Sequence, residues 1–307
     1  MTQVSYIVTV DNQLPYLEAM LASLRAQEGD HSREFVFVDD GSEDGSFDAL
    51  IQRTRLWPRT LLIQQRRQGP TAAALAGAKA ATGDTWLFLD ADVVLNPAAT
   101  RLGYDALKSG AADMILFPHA IAPAPLSYDF AMPPSGPAVR VAEDPLLALL
   151  TEFPAPHRRM MMRRAVFRDP GLFDPAVYLP DVAPPLNAAL THKVGILDLA
   201  LSAGRADAPS AQRRGGGQAE HDRSLAVAHF VIARPELPRR LRKAALRIAA
   251  RRSWEAARKA RAGLTSRFFW LYAKTLCGWP MDVPTALKEC LAAWDAAAVR
   301  RPPPPKG

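Results

Sequence analysis

Over its first 118 residues the chain alternates short apolar runs with amphipathic stretches, and that rhythm constrains the fold more than any other feature. "SYIVTV" (5–10), "EFVFVDD" (34–40), "TLLIQQ" (60–65), "TWLFLD" (85–90) and "DMILFP" (113–118) read as strands. Between them, "LPYLEAMLASLRAQ" (14–27), "SFDALIQRT" (46–54), "TAAALAGAKAAT" (71–82) and "PAATRLGYDALKSG" (97–110) read as helices. Strands that are apolar at consecutive positions are those covered on both faces. The expectation is an α/β fold, a mostly parallel sheet flanked by helices.

After residue 118 the rhythm breaks. "HAIAPAPLSYDFAMPPSGPAV" (119–139) is proline-rich and reads as loop with one short strand at most. "PLLALLTEF" (145–153) and "APPLNAALTH" (183–192) read as helices, and "RRMMMRRAVF" (158–167) and "KVGILDLAL" (193–201) as strands. "SAGRADAPSAQRRGGGQAEHD" (202–222) reads as a long Gly-rich mobile loop. From about 235 onward helices are expected, ending in a disordered tail, "RPPPPKG". The organisation expected is therefore a first half over 1–118, a second half of the same domain over 119–234, and a helical basic extension over 235–307.

In parallel sheets ligands bind beyond the carboxyl ends of the strands. Acidic residues gather there: Asp11 after the first strand, Asp39 and Asp40 after the second, Asp90 and Asp92 after the fourth. Carboxylates are costly at the end of a buried strand unless something pairs with them. Two at i and i+2 leaving one strand can face one pocket and suit a hard divalent cation, Mg²⁺ or Mn²⁺, completed by water and substrate phosphates. Taken alone, the pair is equally a solvated strand end or a helix cap before "NPAAT". Asp40 is either a site residue or a turn-former within "DDGSEDG", and Asp39 is expected to be structural.

The net charge of +7 is concentrated. Residues 239–261 carry ten Lys or Arg against Glu255, a charge of +9, leaving −2 for the rest. Leu241, Ala245 and Ile248 give this helix a narrow apolar stripe, and "SRFFWLYAKTLCGW" (266–279) follows with aromatics. Such a segment suits either a solvated basic cap on the domain or an anionic membrane surface. Nucleic acid is not expected, because no aromatic–basic interleaving accompanies the charge. No stretch approaches the ~18 apolar residues of a membrane span, and "MTQVSYIVTVDNQ" lacks the pattern of a signal peptide. Cys277 and Cys290 are expected to be reduced thiols. The location expected is cytoplasmic, with peripheral contact to the inner face of the cell membrane through 239–261.

Three segments taken together carry a family resemblance: "VSYIVTVDNQLPYLEAMLASLRAQ", "EFVFVDDGSEDGS" and "QGPTAAALAGAKAATGDTWLFLDADVVLNP". In this order and spacing they resemble the nucleotide-sugar-binding half of family 2 glycosyltransferases, which have the GT-A fold. The likeness continues more weakly over 158–198 and stops near 200. It implies a GT-A sheet with an acceptor-side region over 119–234, and a metal-dependent, inverting transfer from a nucleotide sugar, a UDP-sugar by expectation, to a glycan or lipid-linked acceptor. It also implies roles. Asp40 resembles the nucleobase contact, Asp90 the first D-x-D residue facing ribose or metal, and Asp92 the metal ligand beside the diphosphate. Asp181, in "YLPDVAPPL", stands where the family has its catalytic base, and it is equally placed to cap the helix that follows.

Thr9 and Asp11 stand at the first strand's exit, where the family often has Pro and an aromatic, and are donor-side candidates. Arg213 and Arg214 could add positive charge to the diphosphate if 202–222 folds over the site as a lid. His221 and His229 are either late metal ligands or ordinary histidines. Ala74 and Leu75 replace the family's Arg-Asn, and Pro180 precedes Asp181 where the family has Glu. Those departures keep open a glycosyltransferase-like fold that only binds or scaffolds. A haloacid-dehalogenase-like phosphatase also ends an apolar strand in D-x-D, but on its first strand, not its fourth.

Overall fold

The computed structural model describes residues 3–124, 128–130, 138–152, 158–168, 171–215, 217–295 and 299–303. The first half holds β1 (Val4–Val10), α1 (Leu17–Arg25), β2 (Arg33–Asp39), α2 (Ser46–Thr54), β3 (Thr60–Gln64), α3 (Pro70–Ala80), β4 (Thr85–Asp90), β5 (Val94–Leu95), α4 (Ala99–Lys108) and β6 (Met114–Ile121). The chain continues through β7 (Val139–Val141), α5 (Pro145–Glu152), β8 (Arg158–Arg163), α6 (Ala183–Ala188), β9 (Val194–Leu197), β10 (Ser202–Gly204), α7 (Pro209–Arg214) and α8 (Gln218–Ile232). Three helices follow, α9 (Arg239–Lys259), α10 (Arg267–Leu276) and α11 (Val283–Leu291). The expected disordered tail falls partly on 304–307, and the expected loop at 119–139 partly on 125–127 and 131–137; these lie outside the described residues.

The strands form one mixed sheet in the order β3-β2-β1-β4-β8-β6-β10-β5, with β9 also on β6 and β7 on β9. β3, β2, β1 and β4 are parallel, and β8 inserts antiparallel between β4 and β6. The winding direction reverses between β1 and β4. That switch point opens a crevice at the strands' carboxyl ends, and the register sets Val10 beside Asp39 and Thr9 beside Asp90.

The continuous apolar strands are explained by two cores. Ile7, Val36, Val38, Trp86 and Phe88 face one cluster; Tyr6, Val8, Phe35, Phe37, Leu87 and Leu89 face the other. Alternate residues of one strand thus enter opposite layers. α3 lies so close that a Cβ on Gly77 would sit 2.5 Å from Ile7 Cγ2.

Two expectations are corrected. The segment 202–222 is not a loop: it holds β10, α7 and the start of α8. Pro209 at the first turn of α7 is a helix-start signal that the glycines further on had masked. The buried stripe of α9 runs through Leu241, Ala245, Ala249 and Ala250 to Ala257, while Ile248 is only half-buried. Leu241, Ala245, Ala249 and Ala250 belong to the same cluster as Ile7 and Trp86, together with Leu271, Leu287 and Cys290, so the C-terminal helices share one core with the sheet. Cys277 and Cys290 are free thiols, and burial pushes the Cys290 thiol up to about 12. Among the described residues no helix is long and apolar enough to cross a membrane.

Candidate active site

The sheet topology gathers the strand-end carboxylates on one rim. Asp40 is buried where β2 ends, its amide donating to the Val10 carbonyl at 2.8 Å. Its carboxylate accepts from Gln65 Nε2 at 2.7 Å and from the amides of Gln68 at 2.8 Å and Gly69 at 2.7 Å. Asp40 therefore shapes the loop leading into α3. Burial pushes its pKa above the ordinary 3.8, against the pull of those hydrogen bonds. The folded chain then holds a proton that the unfolded chain has lost, so this group's contribution to stability is full below 3.8 and is lost as pH rises through the raised value. Urea midpoints across that window are expected to fall less steeply with rising pH in Asp40→Asn than in the wild type; equal slopes would contradict the assignment.

Asp39 accepts from the Ser42 amide at 3.1 Å, a bond that ties the turn after β2. Asp11 pairs with Arg67 at 3.1 Å near the surface. Arg67 is a rim cation that sequence reading missed; "QQRRQGP" was its only signal.

Asp90 is more deeply held. Thr9 Oγ1 donates to its Oδ1 at 3.3 Å, and Arg159 Nη1 lies 2.6 Å from its Oδ2, both charged side chains being 6% exposed. The Arg comes from β8, whose register sets Arg159 opposite Phe117 on β6 and next to the end of β4. Thr9, a donor-side candidate, acts here on Asp90.

Asp92 is set differently. Its Oδ2 accepts from the Ser210 amide in α7 at 2.7 Å. Its Oδ1 is buried and has no hydrogen-bond partner among the described residues. Such an oxygen is costly unless a ligand completes it. Tyr16, in the turn after β1, has its hydroxyl pKa raised by burial and then by the nearby charges of Asp207 and Asp92. An aromatic thus arrives six residues after Val10, in the 3-10 turn Leu14–Tyr16 that leads into α1.

Arg213 and Arg214 close α7, the helix anchored to Asp92 through Ser210. Their side chains lie outside the described residues, and the lid expectation is replaced by a docked helix.

Asp181 is half-buried in a segment tied down at several points. Thr71 Oγ1 donates to the carbonyls of Val177 at 2.8 Å and Tyr178 at 2.9 Å. Leu179 donates its amide to Asp222 Oδ2 at 2.8 Å, and the other Asp222 oxygen accepts from Gln218 Nε2 at 3.0 Å and contacts His221 Nδ1 at 2.8 Å. Gly69, whose amide meets Asp40, sits against the Tyr178 ring, where a Cβ would lie 3.2 Å away. The Asp40 loop and the Asp181 segment are therefore neighbours. The helix-cap alternative for Asp181 is corrected: Val182 is the N-cap of α6, with no side-chain cap. His221 and His229 are each turned to a carboxylate, Asp222 and Asp174.

No group of three or more His, Cys, Asp or Glu capable of holding a metal occurs among the described residues. A hard divalent ion needs fewer, since Mg²⁺ is commonly held by one or two carboxylates plus substrate phosphates and water. Asp92 Oδ1 fits that demand; Asp90 already carries a cationic partner.

Residues 5–168 match the family profile described as Glycosyl transferase family 2. An uncharacterized glycosyltransferase of Nostoc sp. is 41% identical over 97 residues, 31% of this chain and 30% of that protein. The undecaprenyl-phosphate 4-deoxy-4-formamido-L-arabinose transferase of Pseudomonas syringae is 36% identical over 94 residues, 29% of this chain and 28% of that protein. The matched region thus spans less than a third of these relatives' length. Crystal structures of S. aureus TarS 1–349 superpose with a TM-score of 0.57 over 94% of this chain and 92% of that one, at 18% identity. At that identity the likeness is one of fold.

Proposed function

Because the chain belongs to glycosyl transferase family 2, we propose that it moves a sugar from a nucleotide-sugar donor to a hydroxyl of a glycan or lipid-linked acceptor, inverting the anomeric carbon. A UDP-sugar is the donor we favour; TarS, which shares the fold, is described in complex with UDP and with UDP-GlcNAc. A lipid-linked acceptor is favoured by the Pseudomonas relative, an undecaprenyl-phosphate transferase by name.

In the proposed reaction the acceptor oxygen attacks the anomeric carbon and gives its proton to the Asp181 carboxylate. The bond from that carbon to the diphosphate oxygen breaks, and its electron pair leaves with the nucleoside diphosphate. With Asp181 as base the transfer is one direct displacement at the anomeric carbon, which inverts it. A Mg²⁺ or Mn²⁺ ion held by Asp92 would supply counter-charge to the diphosphate as a Lewis acid. Arg159 fixes Asp90 as a charged, oriented carboxylate, able to accept from the donor's ribose while Asp92 is left to the metal. Asp40 holds the loop against which the nucleobase would lie, and Asp11 with Arg67 forms the outer edge.

The observation that carries this reading is the buried Asp92 Oδ1, without a hydrogen-bond partner among the described residues, two positions beyond the Asp90 that Thr9 and Arg159 hold. The test is turnover across a panel of nucleotide sugars with Mn²⁺ or with chelator, scored as nucleoside diphosphate released. Metal-dependent release from one donor, accelerated by acceptor, is expected. Absence of both binding and release across the panel would sink the proposal and leave a scaffold.

A further inference from the structure

A second site lies on the C-terminal helices; of its lining only Thr151 falls within the residues that match the family. A pocket of ≈ 770 Å³ opens along α9, walled by Arg239, Arg242, Lys243, Arg247 and Arg251. Arg239, Lys243, Arg247 and Arg251 recur every four residues, with Arg242 three after Arg239, which places them on one side of the helix, and the buried stripe through Leu241, Ala245 and Ala249 takes the other. The volume falls in the range of ordinary ligand sites, about 300–1,000 Å³.

Charge is poorly balanced there. Among the described residues that line the pocket the one carboxylate, Asp282, is engaged as the N-cap of α11, accepting from the Thr285 amide at 3.0 Å. Arg251 has Glu255 at 3.6 Å, and Arg240, outside the pocket, takes Asp144 at 2.7 Å. Among the described residues Arg239, Arg242, Lys243 and Arg247 form no ion pair, and Arg242 Nε is buried without a hydrogen-bond partner. Holding four unpaired cations side by side costs stability through their mutual repulsion, and an anion relieves it.

The wall opposite is apolar and outward-facing. Trp279 lines the pocket and is 65% exposed, and Leu276, at the end of α10, is 50% exposed. Cations beside an exposed Trp and Leu form the pattern that sits at a lipid headgroup layer, charge on phosphate and aromatic at the acyl boundary. A soluble phosphate ligand would have no use for that apolar edge.

We propose that this face docks on an anionic phospholipid surface, with a lipid phosphate in the α9 pocket and Trp279 and Leu276 entering the interface. The site is independent of the transfer reaction, because neither donor nor acceptor takes part in it. It would hold the active-site rim beside a membrane, where a lipid-linked hydroxyl resides.

Co-sedimentation of the full chain with vesicles of phosphatidylcholine, alone or mixed with phosphatidylglycerol, tests it without any donor present. Binding is expected only to the mixed vesicles, weakening with added salt. Lys243→Gln and Arg247→Gln should each lower the partition coefficient about fivefold, and Trp279→Phe should remove a blue shift in tryptophan emission seen on binding. All three positions are exposed, so unchanged circular dichroism and melting midpoint in the variants would show that the loss is not unfolding. Equal binding to pure phosphatidylcholine, or full binding by the glutamine variants, would overturn the proposal. So would complete displacement by inorganic phosphate without any Trp279 shift, which would assign the pocket to a soluble phosphate. Preference for single-stranded RNA over vesicles at the same salt would likewise overturn it.

Discussion

Asp181→Asn is expected to lower turnover about 10²–10⁴-fold, the range for loss of a general base, while nucleotide-sugar affinity and the unfolding midpoint stay close to wild type. The selectivity of that effect follows from how the residue is held. Its segment is fixed by Thr71 on the carbonyls of Val177 and Tyr178 and by Asp222 on the Leu179 amide. Those bonds are made at neighbouring backbone groups and survive an Asp181→Asn change. The residue does not cap α6, so the ~1 kcal/mol that a lost cap commonly costs is not at stake. Asparagine keeps the shape and removes the proton acceptor. Steady-state kinetics with a donor titration decide the matter: a fall in affinity with unchanged turnover would move Asp181 from base to binding residue.

Arg159→Met is expected to destabilise the fold by about 3–5 kcal/mol, the usual cost of removing one member of a buried ion pair. The guanidinium lies 2.6 Å from Asp90 with both side chains 6% exposed, so the carboxylate loses its counter-charge in a place water barely reaches. Urea unfolding reads the loss directly. Because a methionine fills much of the volume, packing contributes little to it, and the double variant Asp90→Asn with Arg159→Met should recover a large part. A single-variant loss under about 1 kcal/mol would match a surface pair instead and would remove the reason for treating Asp90 as spoken for.

These two residues also mark what could and could not be read from the chain. Asp181 is a candidate base through the local string "YLPDVAPPL" and a family resemblance, both of them local. The parallel sheet was legible because its evidence is local: each strand is a short apolar run and each helix a period near 3.6. Asp11, Asp40, Asp90 and Asp92 fell on one rim because strand ends in such a sheet share a side.

Arg159 was invisible because it meets Asp90 across 69 residues, through a strand inserted antiparallel between β4 and β6. Ser210 meets Asp92 across 118 residues. No spacing rule connects such pairs; only the finished register does. β5 and β10, of two and three residues, are too short to carry a period and exist by pairing with each other and with β6. α7 was misread for a different reason. Composition over 202–222 was averaged across glycines at its end, and the proline that starts the helix was outweighed. On α9 the concentrated charge is legible from sequence, but the buried stripe passes through Leu246, Ala249 and Ala250 beside Leu241 and Ala245, leaving Ile248 half-buried.

The central claim is that one buried carboxylate oxygen on Asp92 awaits a divalent ion that in turn holds a diphosphate. Calorimetric titration of uridine diphosphate, with Mn²⁺ and with chelator, into wild type and Asp92→Asn tests it most directly. The account predicts at least about tenfold tighter binding with Mn²⁺ in the wild type, some 1.4 kcal/mol, and no such gain in the asparagine variant. A gain of equal size in both proteins, or none in the wild type, would contradict it.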